Sequence, residues 1–344
     1  MKILATGAYE TDYNRTLVIF NGLKKSADVE LIEFPYSKKG GVDVRLLKQK
    51  CDEADFVFIP SFCHADVRKI KRLTNTPVVF DPLISRYLTK VFDYKKVWKY
   101  SPRALKNFYK DKIAMGLADV IFCDTHAHLK YFEETIGIDP SKMHVLPVGV
   151  NTDEFKPILA KQSSVENFTV GFYGSFIPLQ GADKIVEAAN ILREEHINFE
   201  MIGEGVECRR VKKLAIEKHQ LSKVTFTGKV PYEELNAAIN KFDICLGIFG
   251  GTQKANLVIP NKVYHYAGIR KPIITQDSVG IREIFTHEEN VILTSTEPAE
   301  IAEQILRLKS DEVLRDKIAK NAYTKITEEF NEIKIAEMFI NALK

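Results

Sequence analysis

The feature that most constrains this chain is an alternation that runs twice. Short apolar runs of strand length recur between longer stretches with room for helices. In the first half the runs are Lys2–Thr6, Val29–Ile32, Phe56–Pro60, Pro77–Phe80, Val120–Cys123 and His144–Leu146. Continuous apolar runs separated by crossover-length segments predict a parallel α/β sheet. The pattern restarts with strands at Thr169–Tyr173, Phe199–Ile202, Val224–Thr227, Ile244–Ile248 and Pro272–Thr275. Helices are predicted over Ala182–Glu194, where Ile185, Ala188, Ala189 and Leu192 share one face, and around Arg209–Lys218. The polar stretch Asn151–Asn167 separates the two runs and reads as a linker. The expected fold class is α/β, with two Rossmann-like parallel-sheet domains facing across a cleft. The domains are expected over 1–155 and 168–328, with 156–167 as linker. Each sheet would offer a ligand crevice at the carboxyl ends of its strands.

Length and composition agree with two globular domains: 344 residues, 45% of them apolar. Basic and acidic residues nearly balance, 49 against 46, which does not suggest a general nucleic-acid binder. The five cysteines, Cys51, Cys63, Cys123, Cys208 and Cys245, are widely spaced and never form Cys-x-x-Cys, so neither a disulfide framework nor a structural zinc site is expected. The start, Met1–Gly7, reads as a buried strand rather than a signal peptide, and no stretch reaches the ~20 apolar residues of a membrane span. A cytoplasmic protein is expected, with attachment to the inner face of a membrane as a further expectation.

The second half carries the most specific motifs. Gly174-Ser175-Phe176-Ile177-Pro178-Leu179-Gln180-Gly181 follows a strand and precedes a helix. Such a turn brings backbone N–H groups and a helix N-terminus toward a phosphate, although strand-to-helix turns also use glycine for steric reasons alone. Gly203-Glu204-Gly205 forms a second turn at the same edge, and the main chain at Lys229–Val230 is placed to bond a nucleobase edge. The Gly250–Gly251 loop leads through Lys254 to Pro260 and a helix starting near Asn261, with Lys262 in its first turn. Free N–H groups and two lysines there would suit a diphosphate, or the lysines are solvated surface residues.

These motifs, together with Val148–Pro157, Gly228–Leu235, Pro260–Ala267, Ile273–Thr275 and Gly280–Ile284 in the same order, resemble the donor domain of the retaining family-4 glycosyltransferases, which have the GT-B fold. In the first half Phe80–Ser85 and Asp124–His128 resemble a subgroup of that family. The resemblance implies metal-independent, cofactor-free transfer of a sugar from a UDP- or GDP-sugar, with retention at the anomeric carbon. The acceptor would be a cell-envelope or lipid-linked glycan. It also implies that 329–344 form a helix crossing back onto the first domain. The donor contacts it suggests are Gly174, Ser175, Gln180, Gly203, Lys229, Val230, Lys254, Asn261, Lys262 and His265. Lys262 is also expected to act in catalysis, by stabilising the leaving diphosphate.

Three positions depart from the family. Ser175 and Gln180 stand where the family has the Arg and Lys that meet the diphosphate, with Lys254 and Lys262 as candidates to replace them. Of the family's two glutamates, the first falls at Leu257 and the second, on the ribose, at His265. A neutral imidazole can still bond a hydroxyl, and His265 would then make donor binding weaken as pH falls through ~6.5.

On the acceptor side, Asp81 just past its strand is a candidate catalytic residue, with a buried Asx turn before Pro82 as the alternative. His128 is a second catalytic candidate and His126 an acceptor-side candidate, one of which would contact the transferred sugar, although either could simply begin a helix beside an Asp124 or Thr125 cap. Gly7, Asn14 and Arg15 are expected to line the exit loop of the first strand. The stretch 94–112 mixes aromatic residues with seven cations and one acid. It is either a solvated helix face or a patch for an anionic membrane or lipid-linked acceptor. Two rival readings remain for the whole chain: a catalytically degenerate nucleotide-binding partner subunit, and a nucleotide-sugar epimerase of similar fold.

Overall fold

The structure, a computed structural model, describes residues 1–37, 40–158, 168–219 and 223–344. They form two units, Met1–Asn151 with Phe330–Lys344, and Thr152–Glu329.

In unit 1 the strands β1 (Lys2–Gly7), β2 (Glu30–Pro35), β3 (Phe56–Ile59), β4 (Val78–Phe80), β5 (Val120–Cys123) and β6 (Met143–Val145) pair in parallel in the order β2-β1-β3-β4-β5-β6. Ile3, Leu4, Val57, Phe58, Val78, Val79, Ile121 and Phe122 are all fully buried, which is why these strands read as continuous apolar runs. The edge strand β2 extends to Pro35, three residues beyond the expected end, and a proline is tolerated at such an edge. The helices are α1 (Asn14–Lys25), α2 (Val44–Asp52), α3 (His64–Ile70), α4 (Pro102–Leu117) and α5 (His126–Tyr131). Three have side-chain caps: Asp43 accepts from Arg45 N and Leu46 N, Ser101 from Ala104 N, and Thr125 from His128 N.

In unit 2, β7 (Phe168–Tyr173), β8 (Ile197–Ile202), β9 (Val224–Gly228), β10 (Ile244–Leu246), β11 (Ile273–Gln276) and β12 (Ile292–Thr294) form a parallel sheet in the order β12-β11-β10-β7-β8-β9. The helices are α6 (Ala182–Ile191), α7 (Cys208–Glu217), α8 (Tyr232–Ile239), α9 (Gln253–Leu257), α10 (Asn261–Gly268), α11 (Pro298–Ser310) and α12 (Glu312–Glu329). Phe172, Phe199, Met201, Leu246, Ile274 and Ile292 pack with Ile185 and Ala189 of α6 and Ile301 and Ile305 of α11 in one core. The strand order reverses direction between β7 and β10. In an open α/β sheet the crevice for a ligand lies at such a reversal, outside the carboxyl ends of the two strands.

The chain then returns to unit 1 in α13 (Glu332–Asn341). This helix lies so close to α1 that a Cβ on Gly22 would sit 1.9 Å from the Glu332 carbonyl oxygen. Lys25 Nζ and Glu332 Oε1 form an ion pair at 2.6 Å, and Phe339 packs against Phe58 and Phe122.

The division between units falls after Asn151, four residues before the expected boundary at 155, because Phe155 packs within unit 2. Of the expected linker, Lys156 N and Ile158 N bond the side chains of Asn236 in α8 and of Asn240 just after it, and 159–167 lie outside the described residues. All five cysteines are free thiols. Among the described residues no helix is long and apolar enough to cross a membrane.

Candidate functional site

At the reversal point of unit 2 two glycine turns stack. Gly174 follows β7 with φ +153° and donates its N–H to Ile202 O at 2.9 Å. Gly203 follows β8 with φ +125°, and a Cβ there would meet Gly174 O at 2.0 Å. Only glycine allows this backbone path and this approach. Ser175 beyond the first turn is exposed.

Lys262 enters this turn from the first turn of α10. It is 3% exposed, and its Nζ donates to Gln180 Oε1 at 2.5 Å and Gly247 O at 3.3 Å. It also lies 3.5 Å from the centroid of the Phe172 ring, and a Cβ on Gly174 would sit 2.9 Å from Nζ. Gly247 directly follows β10, so the ammonium stands between the ends of β7 and β10. Among the described residues its contacts are an amide oxygen, a carbonyl oxygen and an aromatic face, and none is a carboxylate. Burial pulls its pKa well below the ordinary lysine value. Gln180 reaches it from the short 3-10 turn Pro178–Gln180 that precedes α6. Asn261, half-buried, opens α10, which has no side-chain cap.

Lys254 is buried, which corrects the solvated alternative. It belongs to the five-residue helix α9, capped by Thr252 accepting from Ala255 N, where the sequence suggested only a loop. Gln276, at the end of β11, accepts from Gly251 N at 3.0 Å and holds the glycine loop. Lys229 is exposed and Val230 half-buried on the turn after β9.

His265 requires a correction. It is 1% exposed, its ring stacks on Phe155 with centroids 3.6 Å apart, and its Nδ1 bonds the Tyr173 hydroxyl. Burial lowers its pKa to about 3, so it stays neutral through the range in which titration was expected. Sequence reasoning missed Phe155, Phe172, Tyr173, Gly247 and Gln276. The available signals were residues at strand ends: Tyr173 closes β7, Gln276 closes β11, and Gly247 follows β10.

In unit 1, Gly7 ends β1 with φ +129° beside Cys63. Asp81, 1% exposed, accepts from Arg15 Nε at 2.5 Å, Ser61 Oγ at 3.1 Å and Leu83 N at 3.1 Å. This is the buried, paired carboxylate in an Asx turn that the sequence left open as the alternative to a catalytic role. Arg15 is likewise not on a loop: it is fully buried in the first turn of α1, beside the buried Asn14. His128 is fully buried, its Nδ1 bonded to Asp124 Oδ1 at 2.7 Å, and its Nε2 has no hydrogen-bond partner among the described residues. His126 is exposed at the start of α5. Among the described residues no group of three or more His, Cys, Asp or Glu side chains could hold a metal ion.

The family model described as glycosyl transferases group 1 matches residues 155–325. The probable glycosyltransferase WbjE of Pseudomonas aeruginosa is 32% identical over 108 residues, 30% of this chain and 25% of its own length. A GDP-mannose-dependent alpha-(1-6)-phosphatidylinositol monomannoside mannosyltransferase of Mycobacterium tuberculosis is 26% identical over 218 residues, 60% of this chain and 55% of its own length. The chain thus spans between a quarter and somewhat over half of these curated relatives. Among solved structures, HepE of Anabaena in complex with UDP and glucose matches with a TM-score of 0.77 at 16% identity, covering 100% of this chain and 99% of that one. Sucrose-phosphate synthase of Thermosynechococcus elongatus matches with a TM-score of 0.78 at 14% identity, covering 100% and 98%. At these identities the likeness is one of fold. Two parallel six-stranded sheets flanked by helices, with these neighbours, make this a two-domain Rossmann-like fold of the GT-B type. The family model and the named relatives make the chain similar to glycosyltransferases.

Proposed function

We propose that this chain transfers a sugar from a UDP- or GDP-sugar to a cell-envelope or lipid-linked glycan, with retention at the anomeric carbon and without a metal. The observation that carries the reading is Lys262. A buried ammonium with no carboxylate partner is costly, and an anionic ligand would supply the missing counter-charge. The ammonium stands beside two close-packed glycine turns and in the first turn of α10, whose opening N–H groups suit a diphosphate. Neighbours of the fold hold UDP, and one relative uses GDP-mannose, which supports a nucleoside-diphosphate sugar as donor.

In this mechanism the bond between the sugar and the diphosphate breaks while negative charge grows on the leaving phosphate. Lys262 and the Gly174 turn are fixed in advance where that charge develops, and Gln180 and Gly247 O hold the ammonium in place. In unit 1 the Asp124 carboxylate orients the buried His128 ring. The acceptor would be met at the inner face of a membrane.

A second reading has its own support. Ser175 and Gln180 remove two of the cations that the family resemblance leads one to expect, which favours a subunit that binds the donor without turning it over. A thermal-shift screen of the purified chain with UDP, GDP and their sugars, followed by a donor-turnover assay, tests both. A ligand at a hundred times its dissociation constant stabilises by about 2.7 kcal/mol. No shift with any nucleotide would overturn both readings, and a shift without turnover on any acceptor would favour the second.

A further inference from the structure

Helix α4 and the segment before it carry a surface that the transfer chemistry does not use. The inner side of α4 buries Ala104, Asp111, Ala114 and Met115. On the outer side Leu105, Tyr109, Ile113 and Leu117 recur every four residues, and residues so spaced stack along one face of a helix. They are 55%, 50%, 43% and 37% exposed. Just before the helix, Trp98 and Tyr100 are 70% and 71% exposed, their rings meeting edge-on.

Cations border this stripe. At 100° per residue, Arg103 and Lys110 fall beyond the Leu117 margin, Lys112 beyond the Leu105 margin, and Lys106 between Ile113 and Leu117. The only acid in 94–112, Asp111, is turned inward, where it accepts from Ser85 Oγ, Arg86 N and Tyr87 N. Among the described residues none of the seven cations of this stretch forms an ion pair with a carboxylate. They also press on one another: burial, then Arg86 and Lys106, hold the Lys110 pKa below the ordinary lysine value.

We propose that this face seats the protein on an anionic lipid bilayer. A stripe of apolar side chains bordered by unpaired cations is the arrangement that lies in a headgroup boundary, with aliphatic groups dipping inward and long basic chains reaching back to the phosphates. Trp98 and Tyr100 suit the same boundary, since each ring is apolar with one polar atom. A soluble polyanion would engage the cations and leave the aliphatic stripe in water. The patch begins on the segment after β4 and runs along α4 toward the start of β5. Docking uses none of the donor-site residues, so it stands or falls independently of the transfer reaction.

The test is sedimentation of the purified chain with phosphatidylcholine vesicles, with and without phosphatidylglycerol. Trp98 is the only tryptophan of the chain and reports on insertion by its emission. The chain should sediment with the anionic vesicles alone, with a blue shift of Trp98 and release by salt. Lys106→Gln with Lys110→Gln should weaken binding by about 25-fold, at about fivefold per cation. Leu105→Ser with Ile113→Ser should weaken it by at least about tenfold on the same vesicles. All four positions are exposed, so the unfolding temperature should not change. Absence of sedimentation with anionic vesicles would overturn the proposal. Full binding by the Leu105→Ser, Ile113→Ser protein with unshifted Trp98 emission would also overturn it, leaving only a polyanion site.

Discussion

Lys262 Nζ and Gln180 Oε1 meet at 2.5 Å, 82 residues apart in sequence, at the point where the strand order of unit 2 reverses. A neutral acceptor thus holds a cation in place without neutralising it.

Replacing that cation separates binding from stability. Lys262→Met keeps a similar volume and removes a buried charge, so the ligand-free protein should melt at the same or a higher temperature. Nucleoside-diphosphate affinity should fall by about 1.5–3 kcal/mol, the worth of a hydrogen bond to a charged group. Calorimetry with UDP and GDP measures this, and unchanged affinity would remove Lys262 from the site.

Proton linkage at Lys262 has a definite sign. The ligand-free folded state lowers its pKa, so the unfolded chain holds that proton more tightly and ligand-free stability gains from rising pH. A bound diphosphate favours the protonated form, so binding takes up a proton and affinity falls as pH rises. Titrations from about pH 7 to about pH 10 should show this fall in the wild type and lose it in Lys262→Met. Parallel curves for the two proteins would contradict the linkage.

His265 acts on acid stability instead of donor affinity. Its folded pKa of about 3 lies below the unfolded value of 6.5, so its contribution is complete above 6.5 and is lost as pH falls toward 3. The expected loss is on the order of 1 kcal/mol per pH unit in that window. His64, lowered to about 4 by burial, adds a similar slope. Denaturant unfolding of wild type and His265→Phe from about pH 7 to about pH 5 should show a shallower decline in the variant. UDP affinity over the same range should differ between them by a constant factor.

Asp81→Asn should act through folding. It leaves the buried Arg15 guanidinium without its carboxylate, which typically costs about 3–5 kcal/mol. A protein that keeps wild-type stability and loses turnover alone would restore Asp81 to the catalytic group.

Metal independence is part of the proposed mechanism. Turnover should persist in excess chelator, and loss of turnover that magnesium or manganese restores would overturn it.

Both sheets were legible in the sequence because buried parallel strands leave unbroken apolar runs. β12, Ile292–Thr294, was not among the strands expected. α9 hid in a glycine-rich loop because five residues carry little periodicity. The chemistry of the site residues was readable, but their surroundings were not. Nothing local to Arg15 announces that Asp81 lies against it, and nothing near His265 announces Phe155. Pairs so distant in sequence are fixed only by packing, and packing buries both the expected loop cation Arg15 and the expected ribose contact His265.

The return of α13 to α1 sets an order of assembly. A ribosome releases the residues of β1–β6 early, yet the helix that covers α1 and receives Lys25 emerges only after all of unit 2 has been made. The half of the protein that is synthesised first is therefore completed last. Until then the nascent chain carries an uncovered apolar groove beside Phe58 and Phe122, the kind of surface that chaperones shield during translation.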